Sequence, residues 1–151
     1  MNQFERKTTD SEETSQFAAR LAGFLQPGDV IALEGDLGAG KTTFTKGLAK
    51  GLEIKKTVNS PTFTIIKEYK GKLPLYHMDV YRVADAFEDL GFDEYFEGEG
   101  VTVVEWAHLI EEQLPEDRLT IFLYREDNDQ RRMVFVPQGK RYEQLCKEIF
   151  S

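Results

Sequence analysis

The chain has one cysteine among its 151 residues, five prolines and only two histidines. A lone Cys146 cannot close an intrachain disulfide, which fits a reducing compartment, and it reads as a small buried hydrophobe on the last helix. No apolar run approaches the roughly 18 residues of a membrane span. The polar start, MNQFERKTTDSEET, lacks the apolar core of a secretory signal. These absences together give a cytoplasmic protein with no membrane partner as the expectation. Positive charge is also scarce: 19 Lys and Arg face 27 Asp and Glu, a net charge of −8, which argues against autonomous nucleic-acid binding. Neither His77 nor His108 has Cys or His companions at zinc spacing, so both read as structural. The sharpest absence is local. Residues 83–117 contain no Lys or Arg, while 12 carboxylates fall there. That stretch is either a solvated acidic face or a docking surface for a basic partner.

What is present is a foldable globule: 40% apolar residues, eleven of them Phe, in a length that suits one domain spanning 1–151. FERKT reads as an opening strand. Phe17, Leu21 and Phe24/Leu25 then recur at helical spacing, with Asp10 or Ser11 as N-cap and Gln26-Pro27-Gly28 as the stop. VIALEG is a short apolar run and reads as a buried strand; TTFTKGLAKGL reads as a helix ending near Gly51. Residues 63–69 and 73–80 flank Lys70-Gly71-Lys72 as a hairpin. A short helix is expected over 84–90, a loop over 93–100, a second buried strand at VTVVEW and a helix over 107–113 stopped before Pro115. RLTIFLYRE and RRMVFVPQG form a second hairpin, and residues 139–150 a closing helix. The order predicts an α/β fold with a mixed parallel and antiparallel sheet and helices on both faces.

Residues 35–42, GDLGAGKT, satisfy every fixed position of G-x-x-x-x-G-K-[ST], between a predicted strand and a predicted helix. This is the Walker A, or P-loop, pattern. Its glycines let backbone N–H groups from Asp36, Leu37, Gly38, Ala39 and Gly40 converge on phosphate oxygens, and the helix start adds its positive dipole end. Lys41 would reach the β- and γ-phosphates, and the Thr42 hydroxyl would coordinate Mg²⁺. Thr43 lies one residue deeper, within reach of the α-phosphate.

Such a loop needs a second metal anchor, usually an acid at the end of a neighbouring buried strand. Val101–Val104 runs into Glu105, and Leu75–Met78 into Asp79. Acids so placed emerge at the carboxyl edge of the sheet, where ligands bind in open α/β folds. Glu105 is assigned to Mg²⁺, directly or through water. Asp79 would hold or polarise the metal's water, or orient the attacking water, and the two roles are exchangeable. Ser60-Pro61-Thr62-Phe63 is either a γ-phosphate sensor or an ordinary proline turn. Arg82 either pairs with a carboxylate or stabilises the γ-phosphate in cis. Trp106 is core by habit but stands beside Glu105.

GDLGAGKTT at 35–43, SPTF at 60–63, HMDVYR at 77–82 and VEW at 104–106, in that order, resemble the TsaE family of small bacterial P-loop ATPases. The resemblance covers essentially the whole chain. It implies a single P-loop NTPase domain and a role in making threonylcarbamoyl-adenosine beside the tRNA anticodon. It also implies an ATPase, weak alone, that regulates or resets a complex of TsaB and TsaD, with tRNA met only through that complex. Lys41 and Thr42 then hold phosphate and metal, Glu105 is the Walker-B-like acid and Asp79 the second essential acid. Ser60 and Thr62 fall in a switch-like segment, with Trp106 the aromatic beside the acid. Thr9 and Ser11 match an N-terminal segment that contributes to the adenine pocket.

Two other readings compete. A small-molecule or nucleotide kinase would close an Arg-rich lid over the phosphates, and here a lid would have to draw on Arg125, Arg131 or Arg132. A non-hydrolysing, ATP-gated scaffold would need no acids beside the metal. ATP is preferred because no N-K-x-D motif is present to read guanine. Self-association is left open.

Overall fold

The structure, a computed structural model, describes residues 3–36, 38–59, 66–81 and 92–150. The expected helix over 84–90, Leu37, the 60–63 segment and Arg82 lie outside the described residues.

Seven strands form one sheet: β1 (Phe4–Thr8), β2 (Val30–Glu34), β3 (Ile66–Tyr69), β4 (Leu75–Asp79), β5 (Val101–Glu105), β6 (Arg118–Arg125) and β7 (Arg131–Gln138). Their spatial order is β1-β7-β6-β2-β5-β4-β3. β2 pairs in parallel with β5 and β6, and β4 in parallel with β5. The β6/β7, β1/β7 and β3/β4 pairs are antiparallel. Both predicted hairpins are therefore present, and the sheet is mixed, as the sequence predicts. The central strands are the apolar runs: every residue of VTVVE in β5 is buried, as are the first four of VIALE in β2. Such strands must be covered on both faces.

Side chains alternate between two cores. Ile31, Leu33, Val101 and Val103 point to one face, under α1 (Ser11–Ala22), α2 (Lys41–Gly51) and α4 (Lys140–Ile149). Val30, Ala32 and Val104 point to the other, under α3 (Phe92–Phe96) and a 3₁₀ helix, Ala107–Gln113. α1 opens with Asp10, whose carboxylate accepts the Glu13 N–H at 2.8 Å. It stops at Ala22 rather than at Gln26-Pro27-Gly28, because Gly23 turns its N–H back onto Arg20 and Leu21. α1 and α2 touch backbone to backbone: a Cβ at Gly47 would sit inside contact distance of the Ser15 carbonyl, and one at Gly51 against Ala19.

Two local expectations need correction. The loop expected over 93–100 begins as α3, because Phe92 and Phe96, four apart, bury on the second core. The helix expected over 107–113 is 3₁₀ and breaks at Ile110 (φ −126°, ψ 33°), which leaves helical angles as it enters that core.

Candidate functional site

β2 ends at Glu34 and α2 starts at Lys41, so only six residues connect a central strand to the helix over it. A Cβ at Gly35 would stand 2.7 Å from the Leu123 carbonyl oxygen, so only glycine fits beside β6. Gly40 is the N-cap of α2 in the left-handed region (φ 106°) and supplies no side chain. The Ala39 N–H closes a turn on the Asp36 carbonyl at 3.0 Å. The first turn of α2 has neither a side-chain cap nor an acidic residue. A helix start of this kind presents its positive dipole end without a carboxylate of its own first turn beside it, which suits an anion.

Lys41 is the buried cation at this helix start, 6% exposed. Its ammonium has no hydrogen-bond acceptor among the described residues. It stands over the Trp106 ring instead, 3.6 Å from the centroid. Burial pulls its pKa below the ordinary lysine value, opposed by the charges of Glu105, Asp79, Glu34 and Asp36. Trp106 holds a left-handed backbone (φ 63°, ψ 34°), a conformation costing on the order of 1–3 kcal/mol in a bulky residue. Its ring is framed by Tyr81 at 5.0 Å and His108 at 6.3 Å.

The strand register brings the two candidate acids together. Asp79 and Glu105 are Cα partners across β4 and β5, and Glu105 is also the partner of Leu33 on β2. Both carboxylates thus leave the same edge of the sheet from which the glycine-rich loop departs. The Asp79 Oδ1 accepts the Tyr81 N–H at 3.0 Å. Glu105 is 3% exposed.

The base-side candidates divide. Ser11 and Thr43 line one cleft of about 450 Å³ between the start of α1 and the outer face of α2. Thr9 does not line it; its hydroxyl donates to Glu13 Oε2 at 2.9 Å. Thr42 sits on the first turn of α2 between Lys41 and Thr43. Leu37, Ser60 and Thr62 lie outside the described residues.

Three side chains join the site in places the sequence reading does not give them: it takes His77 as structural, names Arg131 only for a lid and does not single out Glu34. His77 is fully buried, and its Nε2 lies 2.5 Å from Glu105 Oε2. Its Nδ1 has no partner among the described residues. Glu34, the last residue of β2, accepts from the His108 backbone N–H at 3.1 Å and lies 2.8 Å from its Nδ1. Arg131 at the start of β7 donates to the Gly38 carbonyl at 3.4 Å and lies along Gly40. The only signals for these were HxD spacing on one strand face and a basic residue at a hairpin start. Of the other lid candidates, Arg132 pairs with Glu126, whereas Arg125 lines a cleft of about 520 Å³ together with Glu34, Gly35, Asp36, Ala39 and Trp106, beside the loop.

No group of three or more His, Cys, Asp or Glu side chains among the described residues could hold a metal alone. The oxygen donors of Thr42, Glu105 and Asp79 nevertheless fit Mg²⁺, which takes one or two carboxylates and fills its shell with phosphate oxygens and water. The glycine cradle and the acceptor-less Lys41 ammonium fit the phosphates. No described helix is long and apolar enough to cross a membrane.

Against known proteins, residues 8–133 match the family model for threonylcarbamoyl adenosine biosynthesis protein TsaE. The chain is 62% identical over 150 residues to the tRNA threonylcarbamoyladenosine biosynthesis protein TsaE of Bacillus subtilis (strain 168), covering 99% of this chain and 95% of that protein. The protein of the same name from Treponema pallidum (strain Nichols) is 45% identical over 115 residues, covering 75% and 85%. The crystal structure of Bacillus subtilis YdiB matches with a TM-score of 0.88 at 56% identity, covering 99% of this chain and 95% of that one.

Proposed function

We propose, from the premise that this chain belongs to the TsaE family of threonylcarbamoyl adenosine biosynthesis proteins, that it is a Mg²⁺-dependent ATPase and a partner-regulated switch. Involvement in the biosynthesis of threonylcarbamoyladenosine in tRNA comes with the family. The finer reading is that ATP hydrolysis, slow in the isolated cytoplasmic protein, regulates or resets the TsaB–TsaD complex, and that tRNA is met only through that complex.

One observation carries the reading: a buried ammonium, Lys41, stands without an acceptor among the described residues at a helix start with no side-chain cap, beside two strand-end acids in register. Leaving such a donor unsatisfied costs about 1–3 kcal/mol, more for a charged group, and a phosphate oxygen would remove that cost. In this reading the loop N–H groups bind the phosphates. Lys41 turns from the Trp106 ring to the β- and γ-phosphate oxygens. Thr42 and Glu105 hold Mg²⁺, and Asp79 orients water. When bound, the metal offsets charge on the transferring phosphoryl group. Arg131 holds the loop by a backbone carbonyl and so shapes the cradle from outside.

The test is ATP turnover of the purified protein with and without TsaB and TsaD. A low basal rate that the pair alters is expected; a pair that neither binds nor changes turnover overturns the switch. Trp106 is the only tryptophan, so its emission should change when ATP draws Lys41 from its ring. Lys41→Ala should abolish that change and the ATP-induced rise in melting temperature. Glu105→Ala and Asp79→Ala should keep ATP binding, with turnover lost in at least one. Loss of binding in both would leave no case for hydrolysis.

A further inference from the structure

The described part of the stretch free of Lys and Arg, residues 92–117, is not a uniform solvated face. α3 and the end of the 3₁₀ helix stand apart and leave a groove of about 700 Å³ between them. Val30 and Phe96, both buried residues of the second core, contribute to its lining. Its rim carries Asp93 and Glu97 on one wall and Glu112 and Asp117 on the other, all exposed. None of these four carboxylates has a side-chain hydrogen bond or ion pair among the described residues. The nearest arginine in sequence, Arg118, is engaged by the Pro115 carbonyl and Glu111 and does not line the groove.

We propose that this groove docks a basic segment of a partner protein, a short stretch whose Lys or Arg side chains flank an apolar anchor. The apolar lining gives the anchor something to bury against. The rim fixes the sign of the charge. Covering four unpaired carboxylates with a neutral or acidic surface would strip their water without return, whereas lysine or arginine supplies both charge and hydrogen bonds. No Lys or Arg among the described residues lines the groove.

Position adds a role. Val30 opens β2, and the glycine-rich loop departs after Glu34 at its other end. Four strand steps separate them, about 13 Å at 3.3 Å per residue. A partner seated in the groove therefore leaves the phosphate site open and bears on the base of the strand that carries the loop. This inference rests on the partner-regulated reading and adds the surface through which regulation enters.

The experiment measures binding of purified TsaB–TsaD to the full chain in the presence of ATP and Mg²⁺. Glu97→Lys with Glu112→Lys should weaken binding at least about tenfold and steepen no other defect. Basal turnover and melting temperature should stay near wild type, since exposed surface changes are usually worth no more than about 0.5 kcal/mol, or about twofold. Glu97→Gln with Glu112→Gln, the milder pair, should give a smaller loss in the same direction. Glu5→Lys with Glu148→Lys makes the same change in net charge on exposed residues of β1 and α4 and should stay within about twofold of wild type. Equal weakening by the groove pair and the control pair, or none by the groove pair, overturns the proposal. Failure of the wild-type chain to bind at all is a different result: it overturns the partner-regulated reading, and this occupant with it.

Discussion

At the scale of single residues, the distribution of unsatisfied polar atoms is the most informative property of this molecule. Among the described residues, Lys41 Nζ and His77 Nδ1 are two of three buried side-chain atoms without a hydrogen-bond partner, and both lie on groups that face Glu105 or its field. The His77 Nε2–H donates to the Glu105 carboxylate, and its ring fixes that side chain from behind. His77→Phe keeps a planar ring, somewhat larger, but removes that donor. The Mg²⁺ concentration for half-maximal turnover should then rise about tenfold or more, the usual effect of losing a group that orients a metal-binding side chain. His77→Gln, which restores an N–H, should recover much of the loss. If His77 only fills space, the Phe variant leaves Mg²⁺ dependence where it was. The glycine-rich loop was legible in the sequence as a link from a buried strand to a helix because its glycines and Lys-Thr pair fall at fixed local spacing. The His77–Glu105 pair was not, because 28 residues separate the partners and only the β4/β5 register joins them.

At the scale of elements, the α1–α2 contact shows how context reverses a propensity. Replacing Gly47 in mid-helix by Ala should, by helix propensity alone, stabilise α2 by about 1 kcal/mol. Here the added methyl lands on the Ser15 backbone, so a loss of about 1–3 kcal/mol is expected, read as a lower denaturant midpoint at unchanged slope. A gain would show that the helices part freely. Strands and hairpins were readable from alternating or continuous apolar runs with polar turns between them. The strand order was not: β2 lies between β5 and β6, partners some 70 to 90 residues away that no local pattern names. α3 was missed because its two anchors, Phe92 and Phe96, are set among carboxylates and glycines that read as loop.

At the scale of the whole molecule, the charge is polarised. Lys46, Lys50, Lys55 and Lys56 line the cleft beside Ser11 and Thr43, while the groove below α3 has only carboxylates on its rim. The acidic run was visible in the sequence, but its shape as a groove depends on the packing of two short helices. Global stability also has a readable alkaline limit. Burial pushes the Cys146 thiol from 9.0 up to about 12. The unfolded chain therefore releases this proton first, and the thiol's contribution is intact below pH 9 and lost progressively up to about 12. Melting temperature should fall more steeply above pH 9 in the wild type than in Cys146→Ala. Thiol reagents should modify the native chain only as fast as it unfolds; rapid labelling at neutral pH would contradict the buried placement. The close approach of α1 and α2 has one further consequence. Their backbones are already in contact and can separate only by exposing Phe17, Leu21, Phe44 and Leu48 to water. The cleft walled by Ser11 and Thr43 therefore has a spacing between those two walls that cannot widen without unpacking the core beneath them.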